Sequence, residues 1–350
     1  MIRSTAVLLL CVLLGGCATV GYYGQAVRGH WQVMAARQPI EALIQDPQTP
    51  APLAAQLRYA RDVLQFAHNA LDLPDNGNFR DYADIGRPYV VWNVFAAPEF
   101  SLQPRQSCFP LIGCVSYRGY YAEEAARTHA AQLAGQGNDV FVGGVAAYST
   151  LGFFDDPLLS SMLRWDELRL AEVLFHELAH SVAYAADDTG FNESFATAVQ
   201  IEGLRRWAQR QDQPEWAAQV AAEHADRALA LSLIADARSE LQVLYAGDAS
   251  AETRRERKQA ILDDLARRYA EQGNGTHAGW FGGDLNNARL VALADYQDHV
   301  PAFERLLAAV EGDLPCFYTE VKKAAKSDAA TRGAWLLHWS AGTAEAPVCQ

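Results

Sequence analysis

The stretch Val173–Val182, V-L-F-H-E-L-A-H-S-V, decides the fold, because it places an H-E-x-x-H sequence on one helix. Residues i and i+4 of a helix lie on the same face, so the imidazoles of His176 and His180 can bind one metal ion. The carboxylate of Glu177 can then accept a proton from a zinc-bound water. The other residues of the stretch are uncharged, as a helix beside a buried metal requires. The pattern predicts one zinc ion per chain, with Glu177 as the catalytic residue.

Catalytic zinc sites usually have a third protein ligand and one open position. The strongest candidate is Glu193, thirteen residues after the second histidine. The sequence Asp188–Gly190 predicts a turn, and Asn192 is interpreted as the N-cap of a second helix. Glu193 is then expected in the first turn of that helix, which folds back beside the first. Asp187 or Asp188 stays open as an alternative third ligand.

The composition indicates a folded, acidic protein. The 350 residues include 29 Lys and Arg against 42 Asp and Glu, which gives a formal net charge of −13. A surface that neutralises phosphates is not expected from this balance, so nucleic acid is excluded as a partner. The length is ample for a large core, so the chain does not need disulfides or a structural metal merely to fold.

The N-terminal residues have the pattern of a secretory signal. Arg3 is followed by the apolar run Ala6–Leu14, and Leu14-Gly15-Gly16-Cys17 resembles the bacterial lipobox. We therefore predict a signal peptide at residues 1–16, lipidation of Cys17 and a lipid-anchored segment over residues 17–50. Ala18 follows the cysteine in place of the Asp that retains such proteins in the inner membrane. The expected location is the cell envelope, at the outer membrane and facing the periplasm.

Four further cysteines are expected in an oxidising compartment, where an even number favours two disulfides. The favoured pairs are Cys108 with Cys114, across a short loop, and Cys316 with Cys349. A four-cysteine zinc site is the competing interpretation, but the chain has no C-x-x-C spacing.

Hydrophobic periodicity predicts a mainly α (α+β) fold with a small β-sheet before the H-E-x-x-H helix. Residues 51–350 are expected to form a single domain. The predicted strands are Pro88–Phe95 and Asp139–Tyr148. The predicted helices are Tyr22–Gln38, Pro52–Leu71, Ala122–Leu133, Trp165–Ala186, Glu193–Arg210, Trp216–Leu244 and Ala251–Gln272, with weaker helical segments towards the C-terminus.

An H-E-x-x-H helix followed by Asn192-Glu193 on the next helix resembles the gluzincin metallopeptidases. This resemblance implies a zincin-like fold in which two histidines and Glu193 bind zinc. One position departs from the pattern, because Thr197 stands where thermolysin-like members have an Asp. The hydrogen-bond partner of a ligand histidine must therefore come from elsewhere in the chain.

Several longer pieces resemble a narrower group, the bacterial predicted aminopeptidase lipoproteins. They are G-Y-Y-G-Q (21–25), G-C-V-S-Y-R-G-Y (113–120), A-Y-S-T-L-G (147–152), D-P-L-L-S (156–160) and L-N-N-A-R-L (285–290). The resemblance implies a zinc peptidase domain over residues 51–350, peptide substrates and removal of N-terminal residues. A zinc endopeptidase acting on envelope proteins or cross-bridges, and a non-catalytic zinc-binding scaffold, remain as alternatives. Glu177 argues against the scaffold, since a structural zinc site needs no base.

Peptide hydrolysis also needs a donor for the developing oxyanion and a partner for the substrate amine. The strand Asp139–Tyr148 is a candidate edge for pairing with the substrate backbone, with Gly143 and Gly144 permitting close approach. Asp155 and Asp156 are candidates for the amine, and Tyr120 for the oxyanion. The remaining substrate or oxyanion candidates are Tyr117, Arg118, Tyr148, Asn286 and Tyr296.

Overall fold

The structure is a computed structural model that describes residues 21–109, 113–147, 155–186, 188–293 and 299–341, together with residue 347. It is mainly helical with small sheets, which confirms the predicted fold class. The predicted signal peptide and Cys17 lie outside the described residues, as do Tyr148, Tyr296 and Cys349.

Helices make up most of the described chain. A first helix, α1, covers residues 21–35. The others are α2 (Ile40–Gln45), α3 (Ala51–Ala70), α4 (Glu123–Ala134), α5 (Glu167–His180), α6 (Thr189–Arg210), α7 (Pro214–Ala246), α8 (Ala251–Gln272), α9 (Ala278–Phe281), α10 (Asn287–Val291), α11 (Val300–Ala309), α12 (Leu314–Lys326) and α13 (Ala329–Ser340), with a 3₁₀ turn at Met162–Arg164.

The strands form three small sheets, in the orders β1-β2-β8, β6-β3-β7 and β4-β5. Their bounds are β1 (Arg37–Pro39), β2 (Asp81–Ala83), β3 (Val91–Pro98), β4 (Ser107–Phe109), β5 (Gly113–Val115), β6 (Tyr117–Tyr120), β7 (Asn138–Val145) and β8 (Leu158–Leu159). In the second sheet β3 pairs antiparallel with both neighbours, and Val94 is opposite Arg118 on one side and Val142 on the other. The sheet therefore precedes α5 in the chain, as predicted.

The largest hydrophobic core packs α5 and α6 against α3 and the C-terminal helices, and it contains Phe66, Phe175, Phe195 and Phe303. Gly203 permits the close approach of α6, because a Cβ there would lie 2.8 Å from the Phe175 ring. This packing holds the H-E-x-x-H face of α5 against the first half of α6.

Two smaller cores complete the described structure. In one, α4 covers the β6-β3-β7 sheet around Trp92, Val94 and Tyr120. In the other, α7 and α8 form a long antiparallel pair that packs around Leu241 and Leu265. No helix of the described residues combines the length and the apolar character needed to cross a membrane.

The helix that carries the motif is shorter than predicted. α5 ends at His180 rather than at residue 186, and α6 begins at Thr189 rather than at Glu193. The loop between them is held by Asn192, whose side-chain oxygen accepts from the N–H of Ala185 at 2.7 Å and whose amide donates to the Ala185 carbonyl at 2.8 Å. Those bonds compete with continuation of α5 as a helix.

Candidate metal centre

The structure brings together the three residues that the sequence predicts as metal ligands. His176 and His180 lie one turn apart on α5, with ring centroids 4.9 Å apart. Glu193 on α6 faces both, with Oε2 at 3.3 Å from Nε2 of His176 and Oε1 at 3.7 Å from Nε2 of His180. One ligand atom from each lies within 4.8 Å of the others, so the group could hold a metal ion.

The N-terminus of α6 places Glu193 at this point, but not through the predicted cap. The N-cap is Asp188, whose Oδ1 accepts from the N–H of Phe191 at 3.0 Å. Asn192 bonds backwards to the loop instead, and Glu193 lies in the second turn of the helix rather than the first. The interpretation of Asn192 as the N-cap is therefore wrong.

Asp188, the alternative third ligand, has a different role. One carboxylate oxygen accepts the cap bond, and the other accepts from Nε of Arg332 at 2.6 Å. Arg332 is 5% exposed, so this ion pair ties the start of α6 to α13. Asp188 is not part of the ligand group found among the described residues. Asp187 lies outside those residues.

Two polar residues, Gln200 and Glu172, form a series of hydrogen bonds behind His176. The sequence did not lead us to predict either residue. Nδ1 of His176 lies 3.0 Å from Oε1 of Gln200, and Nε2 of Gln200 donates to Oε1 of Glu172 at 2.5 Å. The carboxylate can only accept, so the amide oxygen of Gln200 must face the histidine. His176 therefore donates through Nδ1, and its Nε2 faces Glu193. Gln200 supplies the partner that Thr197 cannot.

The helical spacing of Glu172 and Gln200 could have predicted that they lie beside the metal centre. Glu172 precedes His176 by one turn, and Gln200 follows Glu193 by two turns, so both lie on the faces that meet at the site. Nδ1 of His180, in contrast, is buried without a hydrogen-bond partner among the described residues.

The electrostatics of the centre are dominated by burial. Burial raises the pKa of Glu177 to about 7, and the negative charges of Glu193 and Asp156 act in the same direction, against the charge of His176. Burial lowers the pKa of His180 to about 4, with a further decrease from the charge of His176. Near neutral pH the carboxyl of Glu177 can therefore both accept and release a proton, whereas the imidazole of His180 stays neutral.

The pKa values of His176 and Glu193, which face each other across the site, are controlled by their mutual interaction rather than by burial. Burial lowers the pKa of His176, but the carboxylate of Glu193 outweighs it and holds that pKa above its ordinary value. Burial raises the pKa of Glu193, but the hydrogen bond and charge of His176 hold it below its ordinary value. His176 and Glu193 therefore stabilise each other's charged forms.

The donor set fits a metal ion. Nε2 of His176 and Nε2 of His180 face the carboxylate of Glu193 at 3.3 and 3.7 Å, so a metal ion could lie between these three groups. Two imidazole nitrogens and one carboxylate are the ligands of many catalytic zinc sites with an open fourth position. The partly exposed side chains of His176 (19%) and Glu193 (24%) leave an approach from solvent.

The predicted substrate residues are dispersed. Tyr117, on β6, is 39% exposed and packs against Phe95. Arg118 contacts Tyr22 and Tyr120 beside α4, in a different core from the metal centre. These contacts belong to the β6-β3-β7 sheet, and the roles of Tyr117 and Arg118 at the metal centre stay predictions.

Asn286 has a structural role. Its side-chain oxygen caps α10 by accepting from the N–H of Arg289 at 3.0 Å, and its amide donates to the Val140 carbonyl at 3.1 Å. Both ends of the amide are therefore used by the protein itself.

Gly144, on β7, is explained by packing, since a Cβ there would lie 2.3 Å from the Tyr89 ring. β7 is an edge strand of its sheet, as the substrate-pairing hypothesis requires.

Asp156 is the described acidic candidate that lies close enough to act on Glu177. It is 2% exposed, and its backbone is fixed by a bond from its N–H to Oδ1 of Asn78 at 2.9 Å and by one from the N–H of Phe79 to its carbonyl at 2.7 Å.

Cys108 and Cys114 form a disulfide across the β4-β5 hairpin. Cys316 is also disulfide-bonded, and Cys349 lies outside the described residues.

The fold and the site define a mainly helical protein with a buried candidate metal centre at the junction of two helices. A family model described as "Putative aminopeptidase" matches residues 21–336, and the chain belongs to this family. The family points to a hydrolase. No curated protein and no solved structure matches the chain.

Proposed function

We propose that this protein is a zinc-dependent peptidase that removes N-terminal residues from peptides. The observation that carries the proposal is the convergence of His176, His180 and Glu193 on one point, with the Glu177 carboxyl buried beside it. Membership of the aminopeptidase family supports the choice of a free N-terminus over an internal bond.

Each residue of the centre has a distinct task in this proposal. A zinc ion held there would supply a Lewis acid that activates water and polarises the scissile carbonyl. His176, His180 and Glu193 would hold it, and the Gln200–Glu172 pair fixes the ring of His176 with its lone pair towards the site. Glu177 takes the proton of the attacking water and gives it to the leaving amine.

The environment of Glu177 suits this exchange. A general base works best when its pKa lies near the operating pH, because it must both accept and release the proton. Burial beside Glu193 and Asp156 raises the pKa of Glu177 well above that of an exposed carboxyl. A bound zinc ion, as the largest local charge, would act in the opposite direction.

The test is hydrolysis of aminoacyl-amide and N-blocked peptide substrates by wild type, zinc-stripped protein and Glu177→Gln. We expect cleavage of free-amine substrates only, lost on zinc removal, restored by zinc, and reduced about 10²- to 10⁴-fold in Glu177→Gln. Glu240→Gln is the matched control, since Glu240 is exposed on α7 and makes no hydrogen bond to other described residues. Cleavage of blocked peptides would identify an endopeptidase instead. Absence of turnover in zinc-loaded wild type would overturn the proposal.

We further propose that the enzyme acts in the cell envelope, anchored through lipid on Cys17. The lipobox resemblance at residues 14–17 supports this location. In cells labelled with a radioactive fatty acid, the wild-type chain should carry label and sediment with the membranes, and Cys17→Ser should do neither. Labelling of Cys17→Ser would contradict the anchor at this cysteine.

A further inference from the structure

A cavity lies between α1, α4 and the β6-β3-β7 sheet. None of the residues that line it is a candidate metal ligand. Its volume is about 330 Å³. The polar side chains that line it are Arg105, Gln106, Ser107, Arg118 and His129, together with the phenol of Tyr22. None of its lining residues is an Asp or a Glu, although the chain carries a net charge of −13.

Arg118 has no anionic partner in the described part of the chain. Its guanidinium carbon lies 4.0 Å from the ring centroid of Tyr22 and 5.8 Å from that of Tyr120. Its Nε is buried and has no hydrogen-bond partner among the described residues. Aromatic faces thus hold the cation in place but do not satisfy its buried Nε–H, and leaving a buried donor unmet costs free energy.

Arg105 is positioned at the same cavity. Its Nε donates to Oδ1 of Asn138 at 2.9 Å, and Asn138 is fixed by donating to the Leu133 carbonyl at 2.9 Å. Burial and the positive charge of Arg118 both lower the pKa of His129, whose ring lies 5.7 Å from that of Tyr120. Cationic groups are therefore gathered at one cavity without a carboxylate to balance them.

We propose that this cavity binds a phosphate group, held by the guanidinium groups of Arg118 and Arg105. A guanidinium offers a planar fork of donors that matches phosphate oxygens, and Ser107 and Gln106 add neutral donors. The volume lies at the lower end of the range for ligand pockets, which leaves room for a small group attached to the phosphate. The site shares no residue with the metal centre.

The phosphate has two sources, a lipid headgroup and a soluble phosphorylated molecule. The position of α1 favours the headgroup, because α1 supplies Tyr22 to the cavity and its described part begins four residues after Cys17. On the same helix Val27 and Trp31 are 70% and 68% exposed, and Trp is typical of membrane interfaces.

The first arm of the test measures binding of inorganic phosphate to the full chain in detergent, by titration calorimetry at constant ionic strength, with chloride as the control anion. We expect phosphate to bind to wild type and Arg118→Gln to weaken it at least ~30-fold, as expected for loss of a buried charged partner. Arg118→Lys, which keeps the charge, should bind with intermediate affinity. Arg127→Gln is the matched control, since Arg127 is exposed on α4 and, among the described residues, pairs with Glu123 alone.

The second arm identifies the source with vesicles of phosphatidylglycerol or phosphatidylcholine. Preference of wild type for phosphatidylglycerol, reduced in Arg118→Gln but not in Arg127→Gln, assigns a headgroup. Phosphate binding that depends on Arg118 without this preference assigns a soluble ligand. The proposal is overturned if wild type binds neither, or if folded Arg118→Lys and Arg118→Gln, checked by circular dichroism, both bind as wild type does.

Discussion

Two buried polar clusters of this molecule differ in whether their groups satisfy one another. One cluster joins Asp226 on α7, Tyr269 on α8, and Asn274 and His277 in the loop after α8. Asp226 accepts from the Tyr269 hydroxyl at 2.5 Å, from Nδ1 of His277 at 2.8 Å and from the N–H of Asn274 at 2.7 Å. At the candidate metal centre, two imidazole nitrogens instead share the one carboxylate of Glu193, at 3.3 and 3.7 Å, and Nδ1 of His180 is buried without a partner among the described residues.

This difference separates a structural cluster from a functional one. Polar groups that complete one another's hydrogen bonds stabilise the fold, and no external ligand is needed. Groups that converge on one point without completing one another's hydrogen bonds leave a place for a cation. We therefore expect substitutions in the two clusters to have opposite effects on stability and activity.

The largest effect separates activity from stability at the metal centre. Glu177→Gln should lower kcat about 10²- to 10⁴-fold, since the proton carrier is lost. Its free energy of unfolding should not fall, because a buried carboxyl with a raised pKa is replaced by a neutral amide. Chemical denaturation of wild type and variant, both stripped of metal, measures this. A clear loss of stability would assign Glu177 a structural role.

In the Asp226 cluster the expectation is reversed. Asp226→Asn should lower the free energy of unfolding by about 1.5–3 kcal/mol, the usual loss for hydrogen bonds to a charged group, and leave kcat unchanged. Urea denaturation and steady-state assays of the same preparation test both parts. Asp236→Asn is the control, since Asp236 is more than half exposed and Arg268 is its one ion-pair partner in the described part of the chain. A large fall in kcat of folded Asp226→Asn would contradict the assignment of this cluster as purely structural.

The third effect concerns the residues behind the metal ligands. Gln200→Leu should weaken zinc binding about 10- to 100-fold by releasing the ring of His176. Competition with a chromogenic chelator measures the affinity without reference to activity. Gln209→Leu, at an exposed position of the same helix, should bind zinc as wild type does. Unchanged affinity in Gln200→Leu would show that Gln200 does not position the histidine.

The smallest effect is a pH dependence of stability. Burial raises the pKa of Asp226, but hydrogen bonds from Tyr269, His277 and Asn274 outweigh it and hold the pKa below its ordinary value. A carboxyl with a lowered pKa in the folded state stabilises the fold above its unfolded pKa, about 3.9, and loses this contribution as the pH falls. The stability difference between wild type and Asp226→Asn should be constant from pH 7 to about 5 and shrink below about 4. A difference that grows on acidification would contradict this sign.

The sequence predicts the three residues of the candidate metal centre because their geometry is local. His176 and His180 need only the helical repeat, and Glu193 needs only a turn between two helices. The cap of α6 is harder to predict, since Asp188 and Asn192 are both good capping residues. The choice depends on the bonds that Asn192 makes to Ala185 across the loop.

Non-local contacts account for most of what the sequence did not predict. β2 and β8 contain only two or three residues, and they pair across about 75 positions of the chain, so no local pattern marks them. The motif around Arg118 could not indicate that β6 lies on the far side of β3 from β7. The contacts of Arg118 with Tyr22 and Tyr120 therefore depend on topology, and its role at the metal centre stays a prediction.

The most direct test of the metal centre is the zinc content of the purified full chain after equilibration with zinc and dialysis. We expect one zinc ion per wild-type chain, and none in a folded variant that combines His176→Gln, His180→Gln and Glu193→Gln. Folded wild type that retains no zinc, or a triple variant that still retains one ion per chain, would contradict the assignment of these residues as its ligands.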